Sequence, residues 1–232
     1  MLNLCQMPVD WTATGTMLQG IGTIIGAIAV IWGAFNAADV WKEQKRLERR
    51  LEMAERILTA THKGRHALRY IRGPMLWAAE LSAAEDQLKA DGHWAGQPED
   101  RRKRLTTAQA LLTRINKTKD EQSALDDCLP MARALFNEEL EKAVEKLNRQ
   151  FWIVQVDIES YVDDWNGTDA EFSAKIRRGM YEMRAGDEAN EVTDAISAAV
   201  ATIERICLPA LRLDPIKRDK FAEAQIMTKG VS

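Results

Sequence analysis

Residues 11–38, WTATGTMLQGIGTIIGAIAVIWGAFNAA, contain no ionisable side chain. These 28 positions, bounded by Asp10 and Asp39, exceed the ~20 apolar residues a helix needs to cross a hydrocarbon core of ~30 Å. Trp11 and Trp41 flank the run, and indole rings favour the headgroup zone of a bilayer. The segment VWKEQKRLERRLEMAERIL follows with neither Gly nor Pro. The spacing therefore predicts one helix that leaves lipid and continues as a charged, amphipathic stretch.

One face of that helix is distinctive. Gly15, Gln19, Gly22, Gly26, Ala29, Gly33 and Ala37 follow at intervals of three or four, and the series runs on through Val40, Gln44, Leu47, Leu51, Ala54 and Leu58. Small residues let membrane helices approach closely, because association in lipid is driven by packing and hydrogen bonds. Beyond the membrane, Leu47, Leu51 and Leu58 have water to escape and form a coiled-coil seam, the alternative being that Leu47 to Leu58 pack on the chain's own cytosolic domain. The stripe predicts a homo-oligomer. The glycines of GIGTIIG do not make a phosphate loop: their spacing is G-x-G-x-x-x-G and no strand precedes them.

Orientation follows from the basic residues. Residues 1–40 carry no Lys or Arg, whereas Lys42, Lys45, Arg46, Arg49 and Arg50 crowd the other flank. The positive-inside bias places the N-terminus outside and everything after Trp41 in the cytoplasm. The five basic side chains are expected to meet anionic lipid headgroups. A cleaved signal peptide fits poorly, because no basic residue precedes the apolar run and that run is too long. Cys5, Cys128 and Cys207 lack metal-ligand spacing, and the latter two are expected to be free buried thiols in a reducing compartment.

The rest of the chain is read as helical throughout, so the fold class is all-α: an N-terminal transmembrane helix continuous with a long amphipathic helix, followed by a cytosolic helical bundle. The divisions expected are a short external segment (1–11), a membrane helix (12–40), a juxtamembrane helix (41–73), a bundle (74–214) and a tail (215–232). Gly73-Pro74 ends the first helix. Met75–Ala90 is the second, and Pro98 opens a third that continues to Pro130. Pro130 starts a fourth, with Ala134, Leu135, Leu140, Val144, Leu147, Phe151, Val154 and Ile158 on its core face. Thr168 and Glu171 form a capping box for a fifth helix through about Arg184. Asp187–Leu208 is the sixth, with Val192, Ile196, Ala199, Val200, Ile203 and Ile206 inward.

No constellation reads as a catalytic, cofactor or metal site. Asp126-Asp127, Glu138-Glu139 and Asp163-Asp164 are adjacent pairs, whose side chains diverge by about 100° on a helix. The net charge of −3 gives no global attraction for nucleic acid. Two basic clusters remain. Residues 42–72 carry ten Lys or Arg against four Glu, and Arg101, Arg102, Lys103, Arg104, Arg114, Lys117 and Lys119 form an acid-free stretch. The second suits a phosphate, nucleic acid or an acidic partner surface, but is expected to pair with the 13 acids among residues 120–170.

Two resemblances bear on function. The layout of an N-out single span, a continuous charged helix and a small helical cytosolic domain resembles the membrane effectors of bacterial anti-phage systems, of the kind that accompany retrons and CRISPR loci. The Gly15–Leu58 stripe is the part that matches best. The resemblance implies a protein without enzymatic activity that oligomerises in the inner membrane and breaches its barrier. A membrane-tethered adaptor docking a cytosolic protein is the alternative. Separately, Arg56 and His62 in RILTATH resemble the R-x(4–6)-H pattern of HEPN-type ribonucleases, which would imply attack of a ribose hydroxyl on phosphate. A spacing of six sets those two side chains on different faces of a regular helix. Lipid, a second copy and a cytosolic protein are the expected partners, and no cofactor is expected.

Overall fold

The computed structural model describes residues 11–164, 169–182 and 190–212, with the side chains of Val30 and Trp32 alone between residues 11 and 39. Among the described residues the chain is helical, with no strand: α1 (Trp11–Ile71), α2 (Ala78–Ala90), α3 (Glu99–Lys117), α4 (Lys119–Asp126), α5 (Leu129–Leu135), α6 (Glu138–Asp163), α7 (Ala170–Met180) and α8 (Glu191–Leu211). The all-α expectation holds. No helix among the described residues is long and apolar enough to cross a membrane. The membrane span rests on side chains of residues 11–29, 31 and 33–39, which lie outside them.

The chain divides into two units, one ending at Arg49 and the other beginning at Arg50. In the first, the described side chains Val30, Trp32, Val40, Trp41 and Leu47 are exposed, and Lys45 pairs with Glu48 at 2.6 Å. The second is a helical bundle. Residues 50–71, expected to stand apart as a juxtamembrane helix, belong to it: Ala54, Ile57, Leu58, Ala67, Leu68 and Ile71 are core residues.

α6 is the centre of the bundle and packs on α3, α4, α5, α7 and α8, while α2 packs on α3. Its buried Leu140, Val144, Leu147, Phe151, Val154 and Ile158 recur at three and four, as an inward helical face requires. α8 buries Val192, Ile196, Ala199, Val200, Ile203 and Cys207, with the expected Ile206 partly buried against the core.

Several boundaries differ from expectation, each for a local reason. The third helix breaks at Thr118, whose hydroxyl donates to the carbonyls of Arg114 and Ile115 at 3.2 and 3.0 Å. A hydroxyl bonded back to its own last turn competes with helix continuation. Pro130 lies in the first turn of the short α5, not at the start of the long helix. The long helix begins at Asn137, where Oδ1 accepts from the Leu140 amide at 2.8 Å. Such a side-chain acceptor caps an N-terminus, and the extended backbone at Asn137 (φ −164°) shifts the helical phase. Ala134 is consequently exposed, and Ala132 is the buried residue of α5. α7 is capped by Asp169, whose carboxylate accepts from the amides of Glu171 and Phe172. Thr168, assigned that role from sequence, lies outside the described residues, as do Arg184, Cys5 and the tail from 215 onward. α8 opens at Asn190 and runs through Pro209 to Leu211.

Candidate functional site

The residues expected to meet lipid and a second copy separate into two groups. Lys42, Lys45, Arg46 and Arg49 are exposed. Arg50 is half-buried, its guanidinium 5.0 Å above the Phe136 ring, so it belongs to the bundle surface more than to a headgroup contact. Of the association stripe, Leu47 is 48% exposed, whereas Leu58 is 7% exposed and sits in the core. Leu51 is half-buried. Leu58 is therefore a correction: its apolar side chain is already covered by its own chain and is not available to a coiled-coil partner. Gly15, Gln19, Gly22, Gly26, Ala29, Gly33, Ala37 and Trp11 have no described side chains; Trp41 is exposed.

Both basic clusters contain residues with structural work to do. Arg72, the last basic residue of the 42–72 cluster, is 2% exposed. It lies at the C-terminal end of α7, where the last carbonyls of a helix have no intrahelical donor. Its guanidinium donates to the carbonyls of Gly179, Arg178 and Tyr181 at 2.9, 3.0 and 3.0 Å. It also reaches Asn190 Oδ1 at 2.9 Å and Thr193 Oγ1 at 3.0 Å. Asn190 completes the knot by donating to the Arg178 carbonyl at 2.8 Å and accepting from the Thr193 amide at 3.1 Å. One arginine and one asparagine thus join the end of α1 to the end of α7 and the start of α8. Burial pulls the Arg72 pKa down to about 10, opposed by Glu182 and Asp157.

In the second cluster, Arg114 is buried and holds the loop after α1. It bonds Glu80 through two nitrogens at 2.9 and 2.7 Å and reaches the carbonyls of Tyr70, Gly73 and Met75. A bidentate, charge-assisted pair is the strong form of such a contact. That loop starts α2 at Ala78 instead of Met75, and it displays Met75 and Trp77 at 65% and 66% exposure. Arg104 donates to the carbonyls of Tyr161 and Asp164 at 3.1 and 2.7 Å. The expected pairing with acids of residues 120–170 therefore holds for Arg104 and Asp164. Arg114 uses Glu80, outside that range.

The acidic pairs sit at helix ends or on the surface. Asp127 meets Arg56 at 3.8 Å, Glu138 meets Lys142 at 2.8 Å, and Glu139 pairs with Arg205. Among the described residues no group of His, Cys, Asp and Glu is placed to hold a metal ion. Arg56 and His62 do not converge: Arg56 turns to Asp127, while His62 is 3.5 Å from Glu204 on α8. Cys128 and Cys207 are free and buried, and burial pushes the Cys207 thiol up to about 12, with Cys128 adding to it.

Two carboxyls carry a pH prediction. The Arg114 hydrogen bond holds Glu80 down near 2, against the desolvation that opposes it. Burial pushes Asp157 up to about 6, with Lys175 and Arg72 pulling it back. Glu80 therefore contributes stability above its unfolded value, lost as pH falls through about 2. Asp157 works in the opposite sense. The folded state keeps a proton that the unfolded chain releases, so its contribution is full below 3.8 and fades as pH rises through about 6. Melting temperatures measured across this range should show a decline between the two Asp157 values that Asp157→Asn removes. An unchanged slope in that variant would show that Asp157 is not the group responsible.

Comparison with protein families, curated proteins and solved structures finds no match to this chain, and its function is read from its own residues.

Proposed function

We propose that this chain is a single-span protein of a bacterial inner membrane, with its N-terminus outside and its bundle in the cytoplasm, which self-associates and perturbs the membrane barrier. One observation carries the reading: 28 consecutive positions without an ionisable residue lead directly into exposed Lys45, Arg46 and Arg49. The exposed Val30, Trp32 and Trp41 add support, since large apolar side chains without protein cover mark a surface meant for lipid or another chain.

Self-association runs through Gly15, Gln19, Gly22, Gly26, Ala29, Gly33 and Ala37, with Leu47 at the water side. Leu51, half-buried, borders the bundle, while Leu58 is engaged in the core and takes no part. Only Gln19, Asn36 and Thr residues 12, 14, 16 and 23 offer polar groups in the span. This composition suits a small or conditional breach of the membrane, not a wide permanent pore.

Induced expression with a membrane-potential dye tests the proposal. Depolarisation and growth arrest are expected, abolished by Gly26→Leu and retained in His62→Ala. Gly26→Leu sets a branched side chain where backbones need close contact. A normal potential in the expressing cells, or a detergent-solubilised particle of monomeric mass, overturns it. A second reading, a passive anchor whose bundle docks a cytosolic protein, is favoured by Met75 and Trp77. They stand exposed on a loop that Arg114 holds in place. A normal potential together with a stoichiometric partner lost in Trp77→Ala would support the anchor.

A further inference from the structure

A cleft of about 510 Å³ opens between α2 and α3, beside the loop that joins them. This is within the size range of small-molecule sites. Leu81 and Trp94 give it an apolar wall, and Arg102 and Lys103 give it a cationic one. Two glycines shape the loop on either side of Trp94. Gly92 and Gly96 both adopt positive φ, +76° and +78°, a region glycine enters without strain. Trp94 then lies with Lys89 and Arg102 each 5.6 Å from its ring centroid.

The charges around the cleft are not balanced alike. Lys89 is bridged to Glu85 and Lys103 to Glu99, each at 2.7 Å. Both bridges are exposed i,i+4 pairs, which exchange readily for another anion. Arg102 makes no ion pair within 4.0 Å among the described residues, feeling Glu99 only at longer range, and its Nε is closed to solvent without an acceptor. A desolvated donor with no acceptor is destabilising. An oxyanion in the cleft would give the Arg102 guanidinium the close anionic partner it lacks.

We propose that this cleft binds a small amphipathic organic phosphate, its single anionic head on Arg102 and Lys103 and its apolar body against Leu81 and Trp94. Glu85 and Glu99 border the cleft and would lie against a chain of several phosphates, which restricts the ligand to one head group. The inference is independent of the membrane reading, because every residue in it belongs to the bundle.

Calorimetry and tryptophan fluorescence on the full chain in detergent micelles test it, using inorganic phosphate, phenyl phosphate and dihexanoyl phosphatidic acid as probes. Saturable binding of phenyl phosphate, at least about tenfold tighter than inorganic phosphate, is expected if the ligand is a free metabolite. Binding of the short-chain phosphatidic acid in preference to phenyl phosphate assigns the head group to a lipid. In either case Arg102→Gln should weaken binding about tenfold or more, since a charge-assisted contact is lost. Lys103→Gln, at an exposed position, should weaken it less. Trp94→Phe should abolish the fluorescence change while calorimetric binding persists. Far-UV melting of each variant separates lost binding from lost folding, and unaltered Lys103→Gln affinity in a folded protein counts against the site. No saturable binding of any organic probe, or binding indifferent to Arg102→Gln, overturns the proposal.

Discussion

Arg72→Met is expected to destabilise the bundle by about 3–5 kcal/mol, since several buried oxygens lose their donor at a cost of about 1–3 kcal/mol each, partly relieved by relaxation. The substitution fills the space with an apolar side chain of similar reach. It leaves the carbonyls of Arg178, Gly179 and Tyr181 and the side-chain oxygens of Asn190 and Thr193 without the donor they share. For a domain of this size the melting temperature should fall on the order of 10 °C. The loss should be local first, with amides of α7 and the first turn of α8 exchanging before those of α6. Arg72→Lys should recover only a minor part, because one ammonium cannot match a planar fork that reaches five acceptors. Arg69→Ala, which breaks an exposed ion pair with Glu182, is the control and should change stability little. A melting temperature for Arg72→Met close to that of Arg69→Ala would refute the account of the knot.

Gly179→Ala is expected to be nearly as damaging, for a steric reason. A Cβ at this position would overlap the Asp157 carboxylate, with Oδ2 inside contact distance and Cγ 2.6 Å away. Asp157 is on α6 and Gly179 is in the last turn of α7, so relief requires the Asp157 carboxylate to swing out of its half-buried position or the two helices to separate. Overpacking of this kind typically costs about 1–3 kcal/mol. Here the displaced helix end also carries the carbonyls bound by Arg72. Asp157→Ala in the same chain should restore much of the loss, because the nearest remaining atom, the Asp157 Cβ, is 3.3 Å from the added methyl. A double-mutant cycle in denaturant should give a coupling of about 1 kcal/mol or more between the positions. Additive effects would mean that the clash is relieved elsewhere.

Neither effect was visible in the linear chain. Arg72 reads as the last basic residue of a charged helix, and Gly179 as one glycine in IRRGM. Asn190 and Asp157 are separated from Arg72 by more than eighty residues, and only the packing of α6, α7 and α8 brings them to it. The candidate ligand cleft shows the same division. Arg102 and Lys103 were conspicuous as part of a basic run, yet nothing in the run indicated that Arg102 would lie on Trp94 while Lys103 was bridged to Glu99.

What the sequence by itself determined is periodic and local. The uncharged run from Trp11, the basic flank after it, the stop at Gly73-Pro74 and the inward faces of α6 and α8 all follow from spacing and residue type. Helical hydrogen bonds are made within the segment, and apolar burial repeats every three or four residues. Tertiary structure alone decided where polar side chains end their search for partners. The breaks at Thr118 and Asn137 are local exceptions, made by side-chain bonds to backbone three or four residues away that apolar periodicity does not register. Leu58, periodic with the membrane stripe, was claimed by the bundle, because the core offered cover without the entropy lost in bringing in a second chain. Arg72 and Arg114 were drawn inside because orphan carbonyls at a helix end and in a tight loop required donors. A guanidinium meets several such carbonyls at once.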